Sequence, residues 1–187
     1  LSMHIAATPT YAQVEADIRR WLERAVIGLN LCPFAKAVYA KEQVRIVISD
    51  ASTASALLEQ LGEELVLLRD TPATQTDTTL LVHPQVLGDF LDYNDFLDTA
   101  DALVEALQLE GVLQVASFHP DYQFAGTAPD DAENLTNRAP YPCLHLLRED
   151  SVARAVAAYP EPDSIIERNI KTMQALGAEG FAALLNK

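Results

Sequence analysis

Apolar positions in this chain recur at three and four residues in long stretches and crowd into short runs between them, which predicts helices alternating with strands. Val14, Ile18, Trp21, Leu22, Ala25, Val26 and Leu29 fall on one helical stripe. Thr10, with Gln13 three residues later, supplies a capping box at its start. Gly28 to Asn30 tolerate the left-handed backbone at its end. Pro33 then opens a short second helix to about residue 40, with Cys32 at or beside the N-cap. Residues 45–49, RIVIS, form a strand, and Asp50 and Ser52 are placed to cap the helix after it. That helix buries Leu57, Leu58, Leu61, Leu65 and Leu68, with Gly62 a weak point of about 1 kcal/mol against alanine. A second strand, 80–83, stops at Pro84, which can open a helix carrying Leu87, Phe90, Leu91, Leu97, Ala100, Leu103, Val104 and Leu107, with a break near Asn94. Gly111 ends it. Residues 112–118 form a third strand, followed by a His119-Pro120 pair that repeats His83-Pro84. Residues 143–147 form a fourth. Helices over 151–159 and from 163 to Gly177 complete the pattern, the last burying Ile166, Ile170, Met173 and Leu176.

This alternation predicts an α/β fold with a mixed, mainly parallel central sheet of about four strands flanked by helices in two or three layers. The first three strands are expected to be parallel, joined by right-handed crossovers. A ferredoxin-like α+β arrangement with additions is the alternative. With no repeat, low-complexity tract or linker, residues 1–187 read as a single domain, and 49% apolar residues suffice for a full core. Lys and Arg number 13 against 27 Asp and Glu, a net charge of -14, which argues against nucleic acid and anionic membranes as partners. A small-molecule ligand is the partner that remains. No apolar run reaches the roughly 18 residues of a spanning helix, and the N-terminus lacks a basic segment followed by an apolar one, so a soluble, cytoplasmic protein is expected. Cys32 and Cys143 are too few for a disulfide framework and read as thiols. The pattern indicates no particular cofactor or oligomeric state.

Residues 115–149 are the one long span without apolar periodicity. Structureless connections beyond about 12 to 15 residues are uncommon in compact folds, and Tyr122, Phe124, Leu135 and Tyr141 give this one apolar surface to pack. It therefore reads as a folded loop that builds a site. If the first three strands are parallel, Asp50, His83 and His119 lie just past their C-terminal ends, where open α/β sheets bind ligands. Cys32, at a helix N-terminus, would join them with a depressed thiol pKa. One reading makes Cys32 the nucleophile, His119 its base and Asp121 the orienting carboxylate. The competing account is a small hydrophobe buried between Leu31 and Phe34. A second reading makes His83 and His119 metal ligands with Asp50 or Asp121, against two unconnected histidines that satisfy loop backbone. Asp130, Asp131 and Glu133 suit the start of a short helix after Pro129, with a cation site as the competing role. Arg138, in a turn set by Pro140 and Pro142, can offer its guanidinium to a carboxylate or phosphate, with Asn137, Tyr122 and Tyr141 as further substrate contacts. Its competing role is to pin Asp121 or Asp130. His145 shares a strand face with Cys143 and reads as a satisfied core histidine. No Gly-rich nucleotide loop or Gly-x-Ser-x-Gly elbow is present.

The segments NLCPFA (30–35), SFHPDYQFAG (117–126) and TNRAPYP (136–142), followed by HLLRE (145–149), resemble the hallmark stretches of a bacterial family known as domain of unknown function 1415. The similarity runs from the first helix to the last. It implies a bacterial, cytoplasmic protein and assigns no activity, substrate or catalytic residue. Two functional classes follow: a small-molecule enzyme with its site formed by these three segments, or a non-catalytic binding or protein-interaction domain. Geometry separates them, since an enzyme needs its groups converging in a concave pocket.

Overall fold

The computed structural model describes residues 7–186; the expectation of no leader rests in part on residues outside this range. Thr10 caps α1 (Tyr11–Trp21) as its sequence requires: its hydroxyl accepts from the Gln13 N–H at 3.2 Å while Gln13 Oε1 accepts from the Thr10 N–H at 2.8 Å. The helix then widens into a π-helical turn, Leu22–Ile27, which 3.6-residue periodicity does not announce. A Cβ on Gly28 would run into the Arg24 carbonyl, so the turn needs glycine there. Asn30 is left-handed, at φ 52°.

The second helix, α2 (Ala35–Ala40), is shorter than the proline suggests. Phe34 is its N-cap, and Cys32 lies in the preceding turn, not at the helix end. β1 (Val44–Ile48) leads to α3 (Ala54–Asp70), capped by the Thr53 hydroxyl and not by Asp50 or Ser52. β2 (Thr78–Val82) is buried at every position. Pro84 does not open a helix: residues 84–88 form a loop, with Leu87 left-handed at φ 59°, and α4 (Phe90–Ala106) begins behind the Asp89 cap and runs unbroken past Asn94. β3 (Leu113–Phe118), β4 (Cys143–Arg148), α5 (Glu149–Ala158) and α6 (Ser164–Leu185) follow. The helical backbone breaks at Gly177 (φ 68°), where the sequence ends the helix, and a second helical stretch follows directly across the kink to Leu185; Ile166, expected inside, is 72% exposed.

The sheet is mixed, in the order β1-β2-β4-β3. β1 and β2 pair in parallel, and β4 inserts antiparallel between β2 and β3. β1, β2 and β3 thus run in one direction, as expected, but only one pairing is parallel. Alternation along the strands splits the core. Leu81, Leu144 and Leu146 point to α3 and α4 and join Leu57, Leu61, Leu65, Tyr93 and Ala100. Leu80, Val82 and Cys143 point the other way, to Val14, Ile18 and Trp21 of α1 and Met173 and Phe181 of α6. Burying a side chain such as Ile18 or Leu61 stabilises by about 1.5–3 kcal/mol. Helices on both faces make three layers and separate this fold from the ferredoxin-like alternative, whose helices share one face.

Candidate functional site

The C-terminal ends of β1, β2 and β3 and the start of β4 meet at one sheet edge, where Val82 and Phe118 both oppose Cys143. His83 and His119 leave this edge and are fully buried. Between them stands Tyr93 of α4, its ring centroid 5.8 Å from His83 and 4.9 Å from His119. Phe90 and Tyr122 extend the aromatic packing, with Phe90 5.4 Å from His119 and 5.2 Å from Tyr122. The Tyr93 hydroxyl donates to the Cys143 carbonyl at 2.6 Å and accepts from the Phe118 N–H at 3.1 Å, so one phenol ties α4 to two strands.

The hydrogen bonds fix the histidine tautomers. His119 Nδ1 accepts from the Asp121 N–H at 3.0 Å, which leaves the proton on Nε2, and Nε2 donates to the Leu87 carbonyl at 3.0 Å. His83 Nδ1 donates to the Val86 carbonyl at 3.0 Å, while its buried Nε2 has no partner. Desolvation lowers the pKa of both rings, that of His83 to about 4. Both are neutral groups serving backbone. The Asp121 carboxylate is on an exposed residue, and only its backbone N–H bonds the ring. Asp50 is exposed as well. Among the described residues, no group of three or more His, Cys, Asp or Glu is arranged to hold a metal ion.

The loop between β3 and β4 is folded around a residue that sequence reading passed over. Asn134, fully buried in a 3-10 turn, Ala132–Asn137, accepts from the Phe124 N–H at 2.9 Å and the Thr127 hydroxyl at 3.0 Å, and donates to the Ala128 carbonyl at 2.8 Å. Its only signal was an amide within an acidic run. The acids do start a helical turn, and Asp131 accepts from the Ala128 N–H at 2.9 Å. Arg138 pins the loop through backbone, not through Asp121 or Asp130: Nε donates to the Tyr122 carbonyl at 3.1 Å and a terminal N–H to the Pro129 carbonyl at 2.7 Å. Asn137 donates to the Ser117 carbonyl at 3.1 Å, and its own carbonyl accepts from the His119 N–H at 3.2 Å. Tyr141 donates to Asp17 of α1 at 2.7 Å, and burial pushes its phenol up to about 12. His145 is the satisfied core histidine expected, donating to the Thr78 hydroxyl at 2.8 Å.

Leu31, the neighbour of Cys32, packs in the α1/α6 core, whereas the His119 ring packs on α4, and Cys32 and His119 form no hydrogen bond. The half-buried Cys32 sits in a turn clasped to α6. Arg168 donates to the Asn30 carbonyl at 3.3 Å, Asn169 donates to the Leu31 carbonyl at 2.7 Å, and the Phe34 ring meets Tyr159 edge-on at 5.7 Å. Arg168 and Tyr159 also line a cleft of about 570 Å³ at the α5–α6 junction, together with Pro160, Glu161, Ser164, Glu167 and Lys171. The TNRAPYP segment reaches the same helix, since Leu135 and Ala139 share a core with Met173 and Phe181. α6, read from sequence only as a closing helix, gathers two of the three marked segments.

Fold and site define a three-layer α/β protein with a neutral histidine–aromatic cluster sealing its strand ends and an open cleft beside its last helix. A family model described as Protein of unknown function (DUF1415) matches residues 13–183, and the chain belongs to that family. No curated protein and no solved structure matches it. Among the described residues no helix is long and apolar enough to cross a membrane.

Proposed function

We propose that this protein binds a small molecule where the Cys32 turn meets α6, as a binding domain and not as an enzyme built on Cys32, His119 and Asp121. The observation that carries this reading is that Arg168 and Tyr159, which hold the Cys32 turn through Asn30 and Phe34 about 130 residues away, also line an adjoining cleft. The cleft volume lies within the roughly 300–1,000 Å³ of small-molecule sites. The catalytic grouping fares less well. A general base must have a nitrogen free to take the nucleophile's proton, and both nitrogens of His119 serve backbone.

Alkylation kinetics in a Cys143→Ser background test the choice, because Cys32 is then the single thiol. The binding role expects the pH profile of an ordinary thiol. Alkylation much faster than that of a model thiol near neutral pH, slowing as pH falls through a depressed pKa, would identify an activated nucleophile and replace this reading with the enzymatic one.

A further inference from the structure

The cleft beside α6 carries two charges that have no ion-pair partner among the described residues. Arg168 is held by neutral oxygens: it donates to the Tyr159 hydroxyl at 2.6 Å and to the Asn30 carbonyl at 3.3 Å. Among the described residues, no carboxylate lies within ion-pair distance of it. Glu161, which lines the same cleft, has no cationic partner among those residues either, whereas Glu167 and Lys171 pair with each other at 3.3 Å. The lining is therefore neutral overall but dipolar, with one guanidinium and one carboxylate that lack an ion-pair partner among the described residues.

Charge balance selects the ligand. A simple anion would meet Arg168 but also Glu161 and the field of a chain with net charge -14. A simple cation would meet Glu161 against Arg168. A zwitterion satisfies both ends and leaves the cleft neutral. Single exposed ion pairs are worth only about 0–1 kcal/mol, so recognition in an open cleft requires both ends together. Arg168 is also pre-positioned by its two bonds, which reduces the ordering cost on binding. Tyr159 and Pro160 offer an apolar face to the remainder of the ligand.

Resting on the binding role above, we infer that the cleft recognises a small zwitterion, an α-amino acid or a compound with the same carboxylate and ammonium pair, its carboxylate on Arg168 and its ammonium on Glu161.

The test is amide chemical-shift titration of the full chain with L-phenylalanine, its N-acetyl derivative, which keeps only the carboxylate, and its methyl ester, which keeps only the ammonium. Phenylalanine should saturate shifts at residues 159–171 with a Kd at least about tenfold below either derivative, the scale of one charge-assisted contact. Arg168→Gln should bring phenylalanine down to the level of the ester. Because that change also cuts the clasp, Glu161→Gln provides the independent check: it should bring phenylalanine to the level of the N-acetyl derivative without moving the unfolding midpoint. Equal affinities for the three probes would overturn the inference. If only a derivative saturates the cleft, the zwitterion assignment falls while the binding role stands. If neither these probes nor a mixed set of small acids, amines and alcohols gives saturable shifts there, both fall.

Discussion

His83 and His119, from the ends of two different strands, donate to the adjacent carbonyls of Val86 and Leu87 and so hold one loop between them. The arrangement requires both rings neutral. Protonating His119 at Nδ1 would set an N–H against the Asp121 N–H it now accepts from, and protonating His83 at Nε2 would bury a charged donor without an acceptor.

Stability should therefore fall on mild acidification. Burial holds His83 and His145 at about 4 and lowers His119, against an ordinary imidazole pKa of about 6.5 in the unfolded chain. A depressed histidine leaves the unfolded state with more bound protons below about pH 6.5, so its contribution is complete above that pH and is lost as pH falls toward the folded pKa. The urea midpoint should drop between about pH 7 and pH 5, before most carboxylates titrate. His83→Gln should flatten the slope. A midpoint constant over that interval would contradict the neutral-ring account.

Tyr93→Phe removes the phenol that bonds β3 and β4 at once. It leaves the buried Cys143 carbonyl and the Phe118 N–H short of a partner, and the expected cost is about 1–3 kcal/mol. Equilibrium unfolding measures it. A loss below a few tenths of a kcal/mol would mean that the strand ends reorganise freely.

Asn134→Ala strips three hydrogen bonds from the loop between β3 and β4, at an expected cost of about 3 kcal/mol. The effect should be local first. Limited proteolysis should cut the variant within residues 120–131 faster than the parent, and an unchanged cleavage rate would show that Arg138 alone holds the loop.

The two thiols should separate cleanly in a thiol-titration experiment. Cys143 is fully buried, donates to the Tyr141 carbonyl at 3.2 Å, and is pushed by desolvation above its ordinary pKa. One thiol, that of Cys32, should react in the folded protein and the second only after denaturation. Two thiols reacting at comparable rates would place the start of β4 at an open surface.

Much of this fold was legible because local chemistry and tertiary packing agree. The Thr10–Gln13 box and the all-buried β2 need no partner to be recognised. Reading failed where packing overrode local signals. Leu91 fits the helical stripe yet is 70% exposed, while Tyr93 and Phe96, omitted from that stripe, are buried. A break in register explains this: α4 begins at Phe90 behind the Asp89 cap, after a left-handed Leu87, so the buried face starts on a different residue than Pro84 suggests. Position along the chain located His83 and His119 at the strand ends. It could not show that their nitrogens serve backbone, because Val86, Leu87 and Asp121 contribute through main-chain atoms that carry no side-chain signature. The clasp on the Cys32 turn was hidden for the same reason, since the α6 side chains bond carbonyls about 138 positions away.

The position of β4 also sets an order of events during synthesis. β2 and β3 have no pairing with each other, and β4, which joins them, is the last in sequence of the four strands among the described residues. A nascent chain that has not yet released residues 143–148 could form at most the β1–β2 pair of this sheet, leaving β2 and β3 each with a vacant hydrogen-bonding edge of the kind that recruits other chains. The sheet is thus completed by insertion into a prepared slot, and a product that stopped short of Cys143 would be a substrate for chaperones instead of a smaller version of this protein.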